Sequence, residues 1–106
     1  MGLDFRIADS EEEVATSLSL FSMSWQEYKS VFHTPANRFT HLRHLSRIEF
    51  FEDAVFTGDA IKGLMADIEC AHRAIANPSV AKLLEQLKRV CSKAVESGRG
   101  VYCYCD

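Results

Sequence analysis

The chain has 106 residues, 47% of them hydrophobic, 25% charged and 10% aromatic, with a formal net charge of −3. That length bounds it to one domain. Its composition is that of an ordinary globular protein, and two prolines, five glycines and a small net charge exclude collagen-like, linker-like and disordered acidic chains.

Leu3 to Ile7 alternates apolar and charged residues, which predicts a half-buried strand. Ser10 and Glu13 make a capping box over the acidic run Asp9 to Glu13, so a brief helix starts there. Ser17 to Phe21 alternates again and predicts a second strand, with Leu18 and Leu20 pointing inward. Ser24 and Glu27 form a second box, opening a helix with Trp25, Tyr28, Val31 and Phe32 at helical spacing. Pro35 ends that helix near His33. Phe39, Leu42, Leu45 and Ile48 fit a further helix running to Phe51.

Thr57-Gly-Asp59 is a capped turn before a helix whose stripe is Ile61, Leu64, Met65, Ile68, Ala71 and Ile75. Ser79 caps the last helix. Its apolar face is Val80, Leu83, Leu84, Leu87, Cys91, Ala94 and Val95, and Gly98 or Gly100 ends it. Val101 to Cys105 is β-branched and aromatic, hence a strand, with Cys103 and Cys105 on one face and Tyr102 and Tyr104 on the other. The expectation is a single α+β domain over 1–106. It has three to four helices packed on a small sheet of two or three short strands.

The longest uncharged run, Val14 to Gln26, is too short and too polar to span a membrane. No basic region precedes an apolar stretch at the N-terminus, and Arg6 sits where a myristoylation pattern needs Ser or Thr. The default compartment is the cytoplasm, where the four cysteines stay reduced and Cys70 and Cys91 pack as small hydrophobes. No Gly-rich phosphate loop and no strained nucleophile elbow is present, so no enzyme is expected.

His41 and His44 share a helix face and could join Cys103 and Cys105 in a zinc site. The Cys-x-Cys spacing is not that of a zinc knuckle, and the favoured reading assigns no metal or other cofactor. Arg38, His41, Arg43, His44 and Arg47 form a basic run that could meet phosphates, yet the acids after it and a pI below neutral weigh against direct nucleic-acid binding.

The charge map is the most informative feature. Residues 1–32 carry −4, 33–48 carry +3, 49–70 carry −5 and 71–106 carry +3. Glu11, Glu12, Glu13, Glu49, Glu52, Asp53, Asp59, Asp67 and Glu69 would make a negative face for a basic partner if the fold gathers them.

The Gly2-Leu3-Asp4-Phe5 strand, the strand–helix unit from Ser17 to Phe32 and the last helix with Cys91, Ala94, Gly98 and a terminal strand resemble small bacterial immunity proteins. These are encoded beside polymorphic or contact-dependent growth-inhibition toxins. The resemblance covers both ends of the chain and leaves 36–56 unmatched. It implies a cytosolic monomer that pairs with one cognate toxin domain, often a nuclease, and covers its basic active site, with no membrane partner. Trp25, Tyr28 or Tyr104 would be aromatic anchors for such an interface. Three alternatives remain: a regulatory subunit that oligomerises through helices 59–76 and 79–96, a nucleic-acid module using 38–47, and a small metal-dependent or cysteine enzyme.

Overall fold

The computed structural model describes residues 2–14, 19–32, 42–75 and 77–105. Within them the chain runs β1 (Gly2–Ala8), α1 (Glu11–Val14), β2 (Ser19–Ser24), α2 (Trp25–Phe32), a 3₁₀ turn (Leu45–Arg47), β3 (Ala54–Phe56), α3 (Asp59–Ala74), α4 (Pro78–Ser97) and β4 (Gly100–Cys105). The strands form one antiparallel sheet in the order β2-β1-β4-β3. The α+β expectation therefore holds with four helices. The sheet has one strand more than predicted, because β3 lies at Ala54–Phe56, a stretch to which the sequence assigns no element.

Strand alternation sorts the two faces of the sheet. Leu3, Phe5, Met23, Val101, Cys103, Ala54 and Phe56 face the main core, where α2, α3 and α4 lay down Tyr28, Val31, Leu64, Ile68, Leu84, Leu87 and Cys91. On the outer face Ala8, Val14 and Tyr102 form a smaller cluster, flanked by Val55 and Tyr104. Asp4 is buried there beside Arg6, whose guanidinium lies 3.3 Å from Oδ2 and also donates to the Val14 carbonyl. Cys103 and Cys105 thus share one face and the two tyrosines the other, as the alternation predicts.

Several local expectations need correction. In β2 the inward residues are Phe21 and Met23, whereas Leu20 is 43% exposed; a one-residue change of register exchanges the faces. Leu18 lies outside the described residues. Glu13 reaches back to the N–H of Asp9, not of Ser10. The cap of α4 is Asn77, whose side chain accepts from the N–H groups of Ser79 and Val80, with Pro78 in the first turn; Ser79 is not the cap. No side chain caps α3, whose N-cap is Gly58 at φ 54°. Gly98, at φ 68°, ends α4, and the N–H groups of Gly98 and Arg99 close its last carbonyls. Val95 is 42% exposed and Cys70 is exposed, so neither belongs to the core. The helix expected up to Phe51 is, over the described part, one 3₁₀ turn followed by a loop; Phe39 and His41 lie outside the described residues.

The Ser24–Glu27 box forms as predicted, with Ser24 N–H to Glu27 Oε1 at 2.9 Å and Glu27 N–H to Ser24 Oγ at 3.1 Å. No helix among the described residues is long and apolar enough to cross a membrane.

Candidate partner-binding surface

The box fixes where α2 begins, and this places Trp25 at the surface and Tyr28 one turn deeper. The loop before β3 then delivers Phe50 into the core and turns Phe51, 65% exposed, outward. The rings meet. Trp25 lies 5.4 Å from Phe51, 5.1 Å from Phe50 and 5.8 Å from Tyr28, centroid to centroid. Offset and edge-on pairs at such distances are favourable beyond the area they bury. Tyr28 ties this stack to the loop by donating its hydroxyl to the Ile48 carbonyl at 3.2 Å. Burial pushes the Tyr28 hydroxyl above its ordinary pKa, a backbone hydrogen bond with Phe50 opposes this, and the nearby Glu49 charge adds to it. Lys29 sits over the Trp25 ring at 5.5 Å. Glu49, Glu52 and Asp53 are all exposed on the loop that carries Phe51. The result is an aromatic platform beside three carboxylates.

The loop is held from α3 and from its own turn. Oδ2 of Asp67 accepts the backbone N–H groups of His44 (2.7 Å) and Leu45 (3.0 Å). The His44 ring lies over Gly63, where a Cβ would come within 2.6 Å of Nδ1, so only glycine leaves room for it. Arg47 donates to the Val55 carbonyl at 2.9 Å and stacks on Phe56 at 4.5 Å. Asp67 is therefore a positioning residue for this loop.

The nine carboxylates nominated from the charge map separate. Glu11, Glu12 and Glu13 lie on α1, just beyond the end of the sheet where Ala8 pairs with Gly100. Glu49, Glu52 and Asp53 lie before Ala54, which pairs with Cys103 toward the other end. Two to three residues of β4 between those ends span roughly 10 Å. Asp59 starts α3 at the α1 end and shares a cleft with Asp9, Lys62 and Arg99. Asp67 is committed to the loop. Glu69 is paired with Lys88, whose ammonium holds its carboxyl below the usual range. Only Glu49, Glu52 and Asp53 adjoin the exposed aromatics. Phe51 is not among the residues the sequence points to, and its exposure comes from the loop before β3, which buries Phe50 and turns Phe51 outward.

The remaining candidates have structural roles. Burial pushes the Cys91 thiol up to about 12 and raises Cys103 likewise, so neither is a ready nucleophile. Among the described residues no three His, Cys, Asp or Glu side chains are placed to hold a metal ion. In the basic run Arg43 is exposed, His44 packs on α3 and Arg47 is engaged with β3, while Arg38 and His41 lie outside the described residues. His72 Nε2 lies 3.4 Å from Glu85 Oε1 in the groove between α3 and α4, without hydrogen-bond geometry. The apolar stripes of α3 and α4, offered above for oligomerisation, are spent on the chain's own core. Comparison with protein-family models, curated proteins and solved structures found no match.

Proposed function

We propose that this chain is a cytoplasmic immunity protein that binds a cognate toxin domain, a nuclease, one to one and blocks its basic active site without catalysis of its own. The reading is carried by the Trp25–Phe51 platform with Glu49, Glu52 and Asp53 beside it. In such a complex the carboxylates stand where substrate phosphates would, and long-range attraction steers the encounter. The aromatics supply the desolvated centre that carries most of the binding energy. A standard interface takes roughly 800 Å² per partner, a modest share of the 6240 Å² this chain exposes. Glu11, Glu12, Glu13 and Asp59 fall outside that footprint, which narrows the acidic face to one loop.

The experiment is co-purification with the C-terminal domain encoded by the neighbouring reading frame, followed by titration calorimetry and a nuclease assay. Phe51→Ala should weaken binding by about 2 kcal/mol, the scale of an interfacial anchor. Joint charge reversal of Glu49, Glu52 and Asp53 should slow association and release nuclease activity. Reversal of Glu12 and Glu13 should do neither. Equal loss from both reversals, or no complex at all, refutes the reading.

A further inference from the structure

The two edges of the sheet are treated unequally. β3 is three residues long and its Val55 carbonyl is taken by Arg47. β2 is six residues long, Ser19-Leu-Phe-Ser-Met-Ser24, and carries no charge and no proline. An edge strand normally carries such residues to deter a further strand from pairing with it. Among the described residues side chains engage the β2 backbone at two places: the Ser19 hydroxyl donates to the Phe21 carbonyl at 3.2 Å, and the Ser24 N–H donates to Glu27 Oε1 at 2.9 Å.

Beside this edge runs a basic track. Lys82, Gln86, Arg89 and Lys93 recur on α4 at intervals of four, three and four residues, so they share one helix face. Gln86, Arg89 and Lys93 line a groove with Leu20 and Phe21 of β2. The adjoining groove carries Lys82 and Gln86 onward to Glu27, whose carboxylate is held by the Ser24 N–H. Among the described residues Lys82, Arg89 and Lys93 make no ion pair.

We infer that the β2 edge, with the α4 track, is a docking site for an extended acidic segment of another polypeptide, which adds as a fifth strand. Backbone hydrogen bonds to β2 supply the pairing, and carboxylates on alternate residues meet the cations. The spacing matches: Arg89 and Lys93 are about 6 Å apart along the helix axis, and alternate strand side chains are about 6.7 Å apart. A second copy fits poorly, because two-fold pairing of β2 would set both basic tracks on one face across the seam. Nucleic acid would use the cations and leave the bare edge unpaired. The β2 edge ends at Ser24, next to Trp25 of the aromatic platform, but the inference does not rest on the proposed function.

The test is a titration of ¹⁵N-labelled protein with an acetylated peptide alternating valine and glutamate, taken to millimolar concentration. Parallel titrations use its lysine-for-glutamate counterpart and a ten-residue oligothymidylate. The acidic peptide should shift amide signals of β2 and of residues 82–93 and slow hydrogen exchange at the outer β2 amides. Arg89→Glu with Lys93→Glu, both exposed, should weaken it about tenfold or more, and the binding should fall with salt. N-methylation of the peptide's alternate amides that face β2 should abolish it while leaving its charge intact. The inference is overturned by absence of shifts with the acidic peptide, by equal binding of the lysine peptide, or by shifts outside β2 and α4. Preferential binding of oligothymidylate, or β2 shifts that follow protein concentration alone, would also overturn it.

Discussion

Replacing a mid-helix glycine by alanine ordinarily stabilises a protein by about 1 kcal/mol. Gly63→Ala should do the opposite here. The added Cβ would lie 2.6 Å from Nδ1 of His44, well inside van der Waals contact. The ring cannot withdraw with its backbone, because Asp67 holds the N–H groups of His44 and Leu45. Overpacking of this kind costs about 1–3 kcal/mol. Set against the gain in helix propensity, the net change runs from neutral to about 2 kcal/mol of destabilisation. In a His44→Ala background the clash is gone and Gly63→Ala should stabilise by about 1 kcal/mol. Urea unfolding of the four proteins, with m-values compared, gives the coupling energy directly. The reasoning is refuted if Gly63→Ala stabilises with His44 present and the two changes add within about 0.5 kcal/mol.

Asp67→Ala should cost about 2 kcal/mol in urea unfolding, since it removes a carboxylate acceptor from two backbone donors; a neutral result would return Asp67 to the partner-binding set. Asn77→Ala should lower stability by about 1 kcal/mol and Ser79→Ala by much less, because the cap is Asn77; thermal melts read the difference, and the reverse order would mean the helix starts later. Stability should decline on the alkaline side. Cys91, Cys103 and Tyr28 have folded pKa values above their ordinary ones. Their contribution is complete below those ordinary values and is lost as pH rises through the folded ones. From about pH 9 upward each titrating thiol steepens the decline by up to about 1.4 kcal/mol per pH unit. Cys91→Ala should flatten that limb in urea melts between pH 8 and 11, and an unchanged slope would contradict the assignment.

Much of the fold is legible wherever one local signal acts alone. The Ser24–Glu27 box is one local motif, the stripes of α3 and α4 and the alternation of β1 and β4 each follow a single period, and each of these elements forms. From Leu42 to Phe51 the apolar spacing of three predicts a helix but is met by another arrangement. Leu45, Ile48 and Phe50 are buried by a turn and loop pinned from α3, and the next residues pair with β4. That pairing spans almost fifty residues and leaves no local trace. The acidic face failed in the same way. A charge map is one-dimensional, whereas the sheet sends Glu11–Glu13 and Glu49–Asp53 toward opposite ends. The exposed Phe51 left no local signal either, because the loop path that buries Phe50 and turns Phe51 outward is set by distant contacts from α3.

The central ladder joins Leu3 to Cys105 and Ala8 to Gly100. Every other strand pairing hangs on one of these two strands, so the assembly order is constrained. On the ribosome, β1 waits with only β2 as a companion until β4 has been made. The α3–α4 hairpin can form earlier, but the sheet it rests on is incomplete until β4 joins β1. The loss of search entropy in closing so long a loop comes late and all at once, which makes this a slow-folding topology for its size.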